Sequence, residues 1–325
     1  MRKNKVRPKK HVLILAGGGG HTGEAYALAQ ELRGKAKLSF LIPEGDTLSK
    51  TKLSRFGEVD SLILPRGPKT PNYQFIPRLF KAFFYSFIKV SGKFDVVVSH
   101  GSNFCLAPAI MAWAEGIPVI NVENSVRFIG ASRTAKILQY FSKVTALEWE
   151  EQKKFLNGIV VGPLIQDPEV KPWNGNYILV TGGTHGHKLL FNALAKSSLK
   201  NLILQTGEVD PEPYKREHPE WKVIRYTDRF GELIAGAKVV VTHFGATALE
   251  ILSYKKPMVI VGNPEWTRAA VFGDAKVFAE KINAPLVLKV TLENVLDAIK
   301  DAERREIPTL PDGARALAKI ILKMC

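Results

Sequence analysis

The feature that most constrains the fold is a segment that occurs twice: a buried strand, a glycine-rich loop and the start of a helix. The first copy is residues 11–23, HVLILAGGGGHTG, and the second is residues 177–186, YILVTGGTHG. An aliphatic run before a glycine loop is typical of the first strand of a doubly wound α/β domain. Two such starts in 325 residues predict two domains of similar build.

Short apolar runs alternate with amphipathic stretches along the rest of the chain. Apolar strands joined by helices indicate parallel sheets that are covered on both faces. The predicted fold class is therefore α/β, with two doubly wound, Rossmann-like domains. The strand candidates are residues 11–16, 38–43, 61–64, 95–100, 118–123 and 143–147, then 177–181, 201–206, 222–226, 238–243 and 258–262.

A stretch rich in proline and glycine separates the two patterns. Residues 161–175 have no hydrophobic period and read as a linker. We therefore predict one domain over residues 1–163 and a second over 164–325. The last helical pattern, residues 313–324, is apolar on one face, so it either completes the second domain or crosses back to pack on the first.

Composition narrows the class of protein. Hydrophobic residues make up 46% of the chain, but no run reaches the roughly 20 apolar residues that a membrane span needs. The basic residues before position 11 lack the apolar core of a signal peptide, so we expect a cytoplasmic protein. Cys105 and Cys325 fit no metal spacing and are expected to be unpaired thiols.

The net charge of +15 is concentrated in the first half of the chain. Up to Ile165 there are 24 Lys/Arg and 12 Asp/Glu, against 22 and 19 in the remainder. Such asymmetry suggests an anionic partner: nucleic acid, anionic lipid or a diphosphate substrate. No helix-turn-helix, zinc-finger or RNA-binding motif accompanies it, which disfavours nucleic acid.

The N-terminal glycine loop permits two interpretations. Gly18, Gly20 and Gly23 match GxGxxG, and Glu44 lies about where a ribose-binding acid stands in a dinucleotide fold. An NAD(P)-dependent oxidoreductase is therefore one alternative. Against it, His21 crowds the expected diphosphate position, and a single dinucleotide fold leaves the second glycine loop unexplained.

A third constellation follows a strand in the second half. His243, Gly245 and Thr247 lie where a helix begins, and Glu250 falls one turn into that helix. Free amides at a helix N-terminus bind diphosphate, and a carboxylate one turn later can accept both hydroxyls of a ribose. The alternative is an acid that only stabilises the helix dipole.

The ordered set of motifs resembles the GT-B glycosyltransferases, and among them the MurG family. It resembles more closely a fused form of the two-subunit eukaryotic enzyme that adds the second GlcNAc to dolichyl-diphosphate-GlcNAc. Residues 18–24, 98–103 and 122–125 resemble the acceptor subunit, whereas residues 180–184 and 242–250 resemble the donor subunit. The resemblance implies two domains facing across a cleft, an acceptor domain first and a UDP-sugar domain second.

That resemblance implies an inverting transfer of GlcNAc from UDP-GlcNAc to a lipid-diphosphate-linked sugar, in N-glycan or cell-surface glycan assembly. The usual glutamine run after Asn263 is missing, so GlcNAc is an expectation for the donor sugar. The implied donor-binding residues are Gly183, Thr184, Tyr226, His243, Gly245, Ala246, Thr247, Glu250 and Asn263. The implied acceptor-binding residues are Gly18, Gly19, Gly20, Thr22, His100, Gly101, Ser102 and Asn103.

His21 is the candidate general base, because a neutral imidazole near pH 7 suits that role. Glu24 or Glu123 either orients His21 or replaces it, and the alternative role of His21 is to bind acceptor phosphate. No Asp-x-Asp motif is present to hold a divalent ion. We therefore expect no cofactor and no metal site, with the charge on the leaving UDP met by backbone amides.

Residues 73–90 form an unusually aromatic stretch with interspersed cations. It is too short and too charged to span a bilayer, but it suits the interface of an anionic membrane. The expected location is therefore peripheral, on the inner face of the cell membrane. The alternative is a helix buried on the first sheet. The candidate membrane residues are Phe75, Phe80, Phe83, Phe84, Phe87, Lys81 and Lys89.

A UDP-GlcNAc 2-epimerase is the remaining alternative, since it shares the two-domain fold. Such an enzyme is expected to have more acidic and basic catalytic residues and no membrane helix. Fold alone does not separate it from a transferase.

Overall fold

The computed structural model describes residues 9–67, 70–265 and 271–324. Most of the basic N-terminal segment, and residues 266–270 after Asn263 and Pro264, lie outside the described residues. The chain divides into two compact units. Unit 1 runs to Gln166 and includes the segment from Pro311 onwards, and unit 2 is Asp167–Leu310.

Unit 1 is built on a parallel sheet of seven strands in the order β3-β2-β1-β4-β5-β6-β7. The central strands are apolar on both faces because helices cover both, as the uninterrupted aliphatic runs predict. The strands are β1 (His11–Leu15), β2 (Lys37–Pro43), β3 (Glu58–Leu62), β4 (Val96–Ser99), β5 (Val119–Val122), β6 (Val144–Leu147) and β7 (Ile159–Val160). The helices are α1 (Gly20–Leu32), α2 (Thr47–Leu53), α3 (Asn72–Val90), α4 (Leu106–Ala114), α5 (Arg133–Leu138) and α12 (Gly313–Lys323).

Unit 2 repeats the same strand order with one strand fewer, β10-β9-β8-β11-β12-β13, and every pairing is parallel. The strands are β8 (Tyr177–Thr181), β9 (Leu202–Gln205), β10 (Lys222–Ile224), β11 (Ala237–His243), β12 (Met258–Val261) and β13 (Leu286–Val287). The helices are α6 (Lys188–Leu194), α7 (Glu212–Glu217), α8 (Phe230–Gly236), α9 (Ala246–Ser253), α10 (Phe272–Lys281) and α11 (Leu292–Ala302).

In each sheet the order in which the strands are added reverses beside the first strand. The reversal lies between β1 and β4 in unit 1 and between β8 and β11 in unit 2. Ligands of open α/β sheets bind outside the carboxyl ends of the strands at that reversal. Both glycine-rich segments lie there, since one follows β1 and the other follows β8. The α/β, doubly wound fold class is confirmed.

The helix α12 belongs to unit 1, where Leu317 and Ile321 are fully buried in the same core as α1. The chain that leads into it passes very close to the earlier linker. A Cβ atom on Gly313 would lie 2.0 Å from the carbonyl oxygen of Gly162, and the Gly313 amide donates to Pro163 at 3.2 Å. Glycine at this crossing lets the two segments run against each other.

Three strands differ from the sequence expectation. The strand predicted at residues 61–64 is Glu58–Leu62 in the structure. The prediction was displaced because this edge strand is half exposed, whereas the residues that follow it are apolar. The strands β7 and β13 were not predicted. Each is two residues long, which is too short to give a period.

Candidate functional site

The carboxyl edge of the unit 1 sheet carries a cluster of titratable side chains around His21. This residue lies in the first turn of α1, and 21% of its side chain is exposed. Its Nδ1 atom is 3.3 Å from Nδ2 of Asn124 and 3.7 Å from Oε2 of Glu24. The ring packs on Gly101, where a Cβ atom would lie 3.4 Å from Cε1 of His21. The structure thus brings His21, Glu24 and Gly101 together.

Glu24 is a buried carboxylate between two histidines. Its Oε1 accepts from the Ser125 hydroxyl at 3.2 Å, and its Oε2 lies 3.7 Å from Nδ1 of both His21 and His100. Burial would raise the pKa of Glu24, but His100 and His21 outweigh it and lower that pKa to about 2. Burial would lower the pKa of His21, but the Glu24 carboxylate outweighs burial and raises it.

Two residues predicted for this edge, Glu123 as a catalytic residue and His100 as an acceptor-binding residue, are buried inside the unit. Glu123 is fully buried, and its two oxygens accept from the amides of Asn124 at 2.7 Å and Ser132 at 2.8 Å. Burial raises the pKa of Glu123 despite those amides. His100 is also fully buried, and its Nδ1 faces Glu24 at 3.7 Å, so its predicted contact with an acceptor stays a prediction. The geometry makes Glu123 an anchor for the loop that follows β5.

The glycine loop of unit 1 faces a carboxylate. Gly18 has a φ of +85°, and a Cβ atom there would lie 3.1 Å from Oδ2 of Asp46. The same Asp46 oxygen accepts from the Ser49 hydroxyl at 2.6 Å, and that hydroxyl is 2.6 Å from Oγ1 of Thr22. Thr22 is therefore buried and engaged inside the unit. A negative charge beside the loop disfavours a dinucleotide diphosphate at this position.

The loop after β4 is held by its own side chains. Asn103 pairs with the main chain of Arg66 through both amide atoms, at 3.2 Å and 3.0 Å. The Ser102 hydroxyl accepts from the Phe104 amide at 3.2 Å, and a Cβ atom on Gly17 would lie 2.4 Å from that hydroxyl. These contacts explain why Ser102 and Asn103 stand here: they fix the loop beside His21. Their predicted contact with an acceptor stays a prediction.

In unit 2, the loop after β8 meets the start of α9. A Cβ atom on Gly183 would lie 3.4 Å from Cε1 of His243 and 3.5 Å from Oγ1 of Thr247. The helix α9 begins at Ala246 with Gly245 before it, and its N-terminus has no side-chain cap. Uncapped amides at a helix N-terminus form a ready site for an anion.

His243 is the titratable group nearest this helix start. Burial, together with the nearby His187 and His185, lowers the pKa of His243 to about 4. Its imidazole is therefore neutral at pH 7 and neither repels nor attracts an anion by net charge. Glu250 is half-buried one turn into α9, as the sequence placed it.

Two further predicted donor residues reach the same loop. The hydroxyl of Tyr226, whose side chain is 52% exposed, donates to the Thr184 carbonyl at 3.2 Å. The side chain of Asn263 donates to the Gly186 carbonyl at 3.4 Å. Gly183, Thr184, Tyr226, His243, Thr247 and Asn263 thus converge on one edge of unit 2, and the missing glutamine run falls in residues 264–276, partly outside the described residues.

The aromatic stretch forms the helix α3, which is tied to unit 1 but presents much of its apolar surface to solvent. Phe80 is 72% exposed and Phe84 is 64% exposed, whereas Ala82 and Val90 are buried. Phe75 and Phe83 are half-buried. Lys81 is exposed, and Lys89 pairs with Asp60 at 2.5 Å. Exposed alongside them are Tyr73, Ile76, Tyr85, Phe87 and Ile88.

Sequence reasoning missed three residues of these sites. Asn124 and Ser125 lay inside a recognised motif, but nothing in the pattern showed that they contact His21 and Glu24. Asp46 gave no signal, because its role depends on how α2 packs beside the glycine loop. Within residues 9–67, 70–265 and 271–324, no cluster of three or more His, Cys, Asp or Glu side chains could hold a metal ion.

Known proteins match the chain in sequence and in fold. Residues 177–310 match the model of the glycosyltransferase family 28 C-terminal domain. A UDP-N-acetylglucosamine–N-acetylmuramyl-(pentapeptide) pyrophosphoryl-undecaprenol N-acetylglucosamine transferase of Trichodesmium erythraeum is 24% identical, over 96% of this chain and 89% of its own length.

Two solved structures share the fold at low sequence identity. MurG of Acinetobacter baumannii is 20% identical with a TM-score of 0.68, covering 97% of this chain and all of its own. A UDP-GlcNAc 2-epimerase of Neisseria meningitidis, bound to UDP-GlcNAc, is 16% identical with a TM-score of 0.65, covering 96% of this chain and 98% of its own. The chain therefore shares the GT-B fold with MurG and resembles it in sequence, and residues 177–310 match the glycosyltransferase family 28 C-terminal domain.

Proposed function

We propose that the chain transfers GlcNAc from UDP-GlcNAc to a sugar that is linked to a lipid through diphosphate. Unit 2 binds the donor, and unit 1 supplies the acceptor side and the base. The observation that carries this proposal is the uncapped start of α9 beside Gly183 and a neutral His243. The transferase name of the Trichodesmium relative supports the donor sugar and the type of acceptor.

The donor is held by main-chain amides and one carboxylate. The amides of Gly245, Ala246 and Thr247 bind the diphosphate, and Gly183 and Thr184 line its other side. Glu250, half-buried one turn into α9, accepts hydrogen bonds from the ribose hydroxyls. Tyr226 stacks on the uracil, since its ring is exposed beside Thr184.

His21 accepts the proton of the acceptor hydroxyl. The oxygen freed of that proton attacks C1 of the GlcNAc, and the bond from C1 to the UDP oxygen breaks with inversion. The electron pair of that bond leaves with UDP, whose charge the α9 amides stabilise. The proton on His21 then returns to solvent. Glu24 stabilises the imidazolium that forms, as the raised pKa of His21 reflects.

We infer that the reaction requires neither a cofactor nor a metal ion. The α9 N-terminus supplies the electrostatic stabilisation that a divalent ion gives elsewhere. Turnover is therefore expected to be unchanged within about twofold in excess EDTA, since such amides contribute without a metal. Loss of turnover in EDTA, restored by Mg²⁺ or Mn²⁺, would contradict this part of the proposal.

The helix α3 rests on the surface of an anionic membrane. No described helix is long and apolar enough to cross a bilayer. Instead, α3 presents Phe80, Phe84 and Phe87 to solvent beside the cation of Lys81. Aromatic side chains suit the acyl boundary and cations suit the head groups. We therefore propose that the protein lies peripherally on the cytoplasmic face of the membrane, where it meets a lipid-linked acceptor.

The acceptor lipid and first sugar are the finer part of the proposal. The relatives act on an undecaprenol-linked acceptor, whereas the motifs of residues 18–24 and 98–103 resemble the dolichyl enzyme of N-glycan assembly. The deciding experiment incubates the full chain and liposomes with radiolabelled UDP-GlcNAc and one of two acceptors. These are undecaprenyl-diphosphate-MurNAc-pentapeptide and dolichyl-diphosphate-GlcNAc.

The proposal predicts label in the lipid extract with one of these acceptors and none without acceptor. Formation of UDP-N-acetylmannosamine, or of its hydrolysis products UDP and N-acetylmannosamine, without labelled lipid would favour the epimerase alternative suggested by the shared fold. Binding of NAD(H) in place of UDP-GlcNAc in a thermal-shift screen would favour the oxidoreductase. Asp46 beside Gly18 argues against that second outcome.

A further inference from the structure

The Nδ1 atom of His21 faces two groups with opposite requirements. Nδ2 of Asn124, at 3.3 Å, is a hydrogen-bond donor, whereas Oε2 of Glu24, at 3.7 Å, is an acceptor. A neutral imidazole carries its proton on one ring nitrogen only, so Nδ1 satisfies one of these neighbours at a time.

The orientation of the Asn124 amide is fixed by its surroundings. Its Oδ1 accepts from the Val126 amide at 2.9 Å, so its NH₂ group is the end that points at His21. The main chain of Asn124 is held as well, because its amide donates to Glu123 at 2.7 Å and its carbonyl accepts from Gln152 at 3.0 Å. The donor is therefore held in place.

The acceptor on the other side is equally constrained. Oε1 of Glu24 accepts from the hydroxyl of Ser125 at 3.2 Å and from its amide at 3.4 Å, which leaves Oε2 for the histidines. Glu24 is 2% exposed, and Oε2 has no hydrogen-bond partner among the described residues. The fully buried ring of His100 faces the same Oε2, and neither of its nitrogens has such a partner among those residues. A hydrogen bond donated to this buried carboxylate oxygen by a histidine N–H group would therefore be stabilising.

We propose that Asn124 and Glu24 select between two tautomers of His21, and that Asn124 is a positioning residue that opposes the tautomer needed for catalysis. With the proton on Nδ1, the ring donates to Glu24 and the lone pair lies on Nε2. With the proton on Nε2, Nδ1 accepts from Asn124 and the ring has no lone pair for the acceptor hydroxyl. Only the catalytic meaning of the tautomers rests on the proposed function.

The reacting step requires the Glu24-bound tautomer. The proton of the acceptor hydroxyl moves to Nε2, which gives an imidazolium with protons on both nitrogens. Its Nδ1–H stays directed at Glu24, and the Asn124 donor has no lone pair left to face. The charged groups around the ring are the carboxylates of Glu24 and Glu123, and the carbonyl of His100 also faces it. All of them favour the imidazolium.

The tautomers are distinguished by NMR of the full chain with ¹⁵N-labelled histidine, at alkaline pH where His21 is neutral. The spectrum of His21→Gln identifies the His21 signals among those of the seven histidines. The main variant is Asn124→Asp, which keeps an oxygen for Val126 and turns a second oxygen towards Nδ1. Asn124→Ala tests removal of the donor alone, and Asn157→Ala is the matched control at an exposed asparagine of the same unit.

We expect Asn124→Asp and Asn124→Ala to raise the ratio of Nδ1–H to Nε2–H by at least about fivefold, the ratio set by one neutral hydrogen bond. Glu24→Gln is expected to reverse the shift. The Ser125 donors hold the carbonyl oxygen of the glutamine, so its NH₂ group faces Nδ1 and favours Nε2–H. Asn157→Ala is expected to match the wild type.

A ratio that stays within twofold of the wild type in both Asn124 variants would overturn the proposal, as would a Glu24→Gln protein that keeps Nδ1–H. Because the ratio is measured without substrate, its outcome is separate from that of the transfer assay. The expected tautomer shifts in a protein that transfers no GlcNAc would overturn the proposed function alone. Where transfer is observed, Asn124→Ala is expected to raise kcat by up to about fivefold with KM for UDP-GlcNAc unchanged.

Discussion

The two glycine loops of the molecule occupy equivalent places in equivalent sheets, yet their electrostatic surroundings differ. In unit 1 the loop after β1 faces Asp46, and buried Glu24 stands in the first turns of α1. In unit 2 the loop after β8 faces a neutral His243 and the uncapped start of α9. The two loops differ in how the neighbouring acid is paired: Asp46 accepts from the Ser49 hydroxyl at 2.6 Å, whereas Glu208 beside the unit 2 loop pairs with His185 at 2.9 Å.

The largest expected effect tests the unit 1 loop as the catalytic side. His21→Ala removes the proposed base, and general-base catalysis is typically worth about 10²–10⁴-fold in rate. We expect kcat to fall by that factor, with the dissociation constant for UDP measured by calorimetry unchanged within about twofold. Equal loss of UDP affinity would instead place the nucleotide in unit 1.

The second effect compares Glu250 of unit 2 with Glu44 of unit 1, the two acids that the competing interpretations assign to a ribose. Glu250→Ala removes the carboxylate that is proposed to hold the ribose, so UDP is expected to bind about 10–100-fold more weakly, the effect of roughly one charge-assisted hydrogen bond. Glu44→Ala is the matched control, because Glu44 is the exposed acid that the dinucleotide-binding alternative assigns to the ribose. Its affinity for UDP is expected to equal that of the wild type. Weaker binding in Glu44→Ala alone would reverse the assignment of the units.

The third effect concerns the proposed membrane-binding surface, which lies on the helix α3 of unit 1 and has no counterpart in the proposal for unit 2. The double variant Phe80→Glu with Phe84→Glu replaces two exposed aromatic side chains and adds negative charge. We expect co-sedimentation with anionic liposomes to weaken by at least about tenfold, since burying one such ring contributes about 1.5–3 kcal/mol. Leu288→Glu changes an exposed residue of unit 2 and serves as the control. Liposome binding at the wild-type level in the double variant would contradict the role of α3.

The smallest effect is a pH dependence of stability that arises in the unit 1 cluster. The pKa of Glu24 is lowered on folding. The contribution of its carboxylate to the free energy of unfolding is therefore complete above about pH 4.3 and is lost as the pH falls towards 2. The pKa of His21 is raised on folding. The contribution of the protonated imidazole to the free energy of unfolding is therefore complete below about pH 6.5 and is lost as the pH rises through the pKa of His21 in the folded protein.

Urea unfolding across pH measures this contribution. The free energy of unfolding of the wild type, relative to Glu24→Gln, is expected to be largest between about pH 4.5 and 6.5 and to change by no more than about 1.4 kcal/mol per pH unit. A difference between the two proteins that stays constant from pH 3 to 8 would show that Glu24 and His21 are not coupled in the folded state.

The fold was predictable because its signals are local. Aliphatic runs such as residues 11–15 and 177–181 are buried on both faces, and only a covered parallel sheet accommodates them. The proline- and glycine-rich residues 161–175 were visible as a linker, and the two compact units divide within them, after Gln166. The sequence did not decide which domain α12 packs on, because the apolar face of an amphipathic helix can complete either core.

The candidate site was predictable in its residue types and less so in its contacts. The convergence of Gly183, His243 and Thr247 follows from strand ends that meet at one edge of a parallel sheet. The burial of His100 and Glu123 was not predictable, because a polar residue after a strand looks the same whether it faces solvent or the core. The contact between Asn124 and His21 joins residues 103 positions apart, which a single sequence does not reveal.

The central claim is that the start of α9, and not the glycine loop after β1, holds the nucleotide diphosphate. A crystal structure of the full chain with UDP tests it most directly. Phosphate oxygens are expected within hydrogen-bond distance of the amides of Ala246 and Thr247, with the ribose against Glu250. Phosphate oxygens on the amides of Gly18 and Gly19, with the α9 amides bound to water, would contradict it.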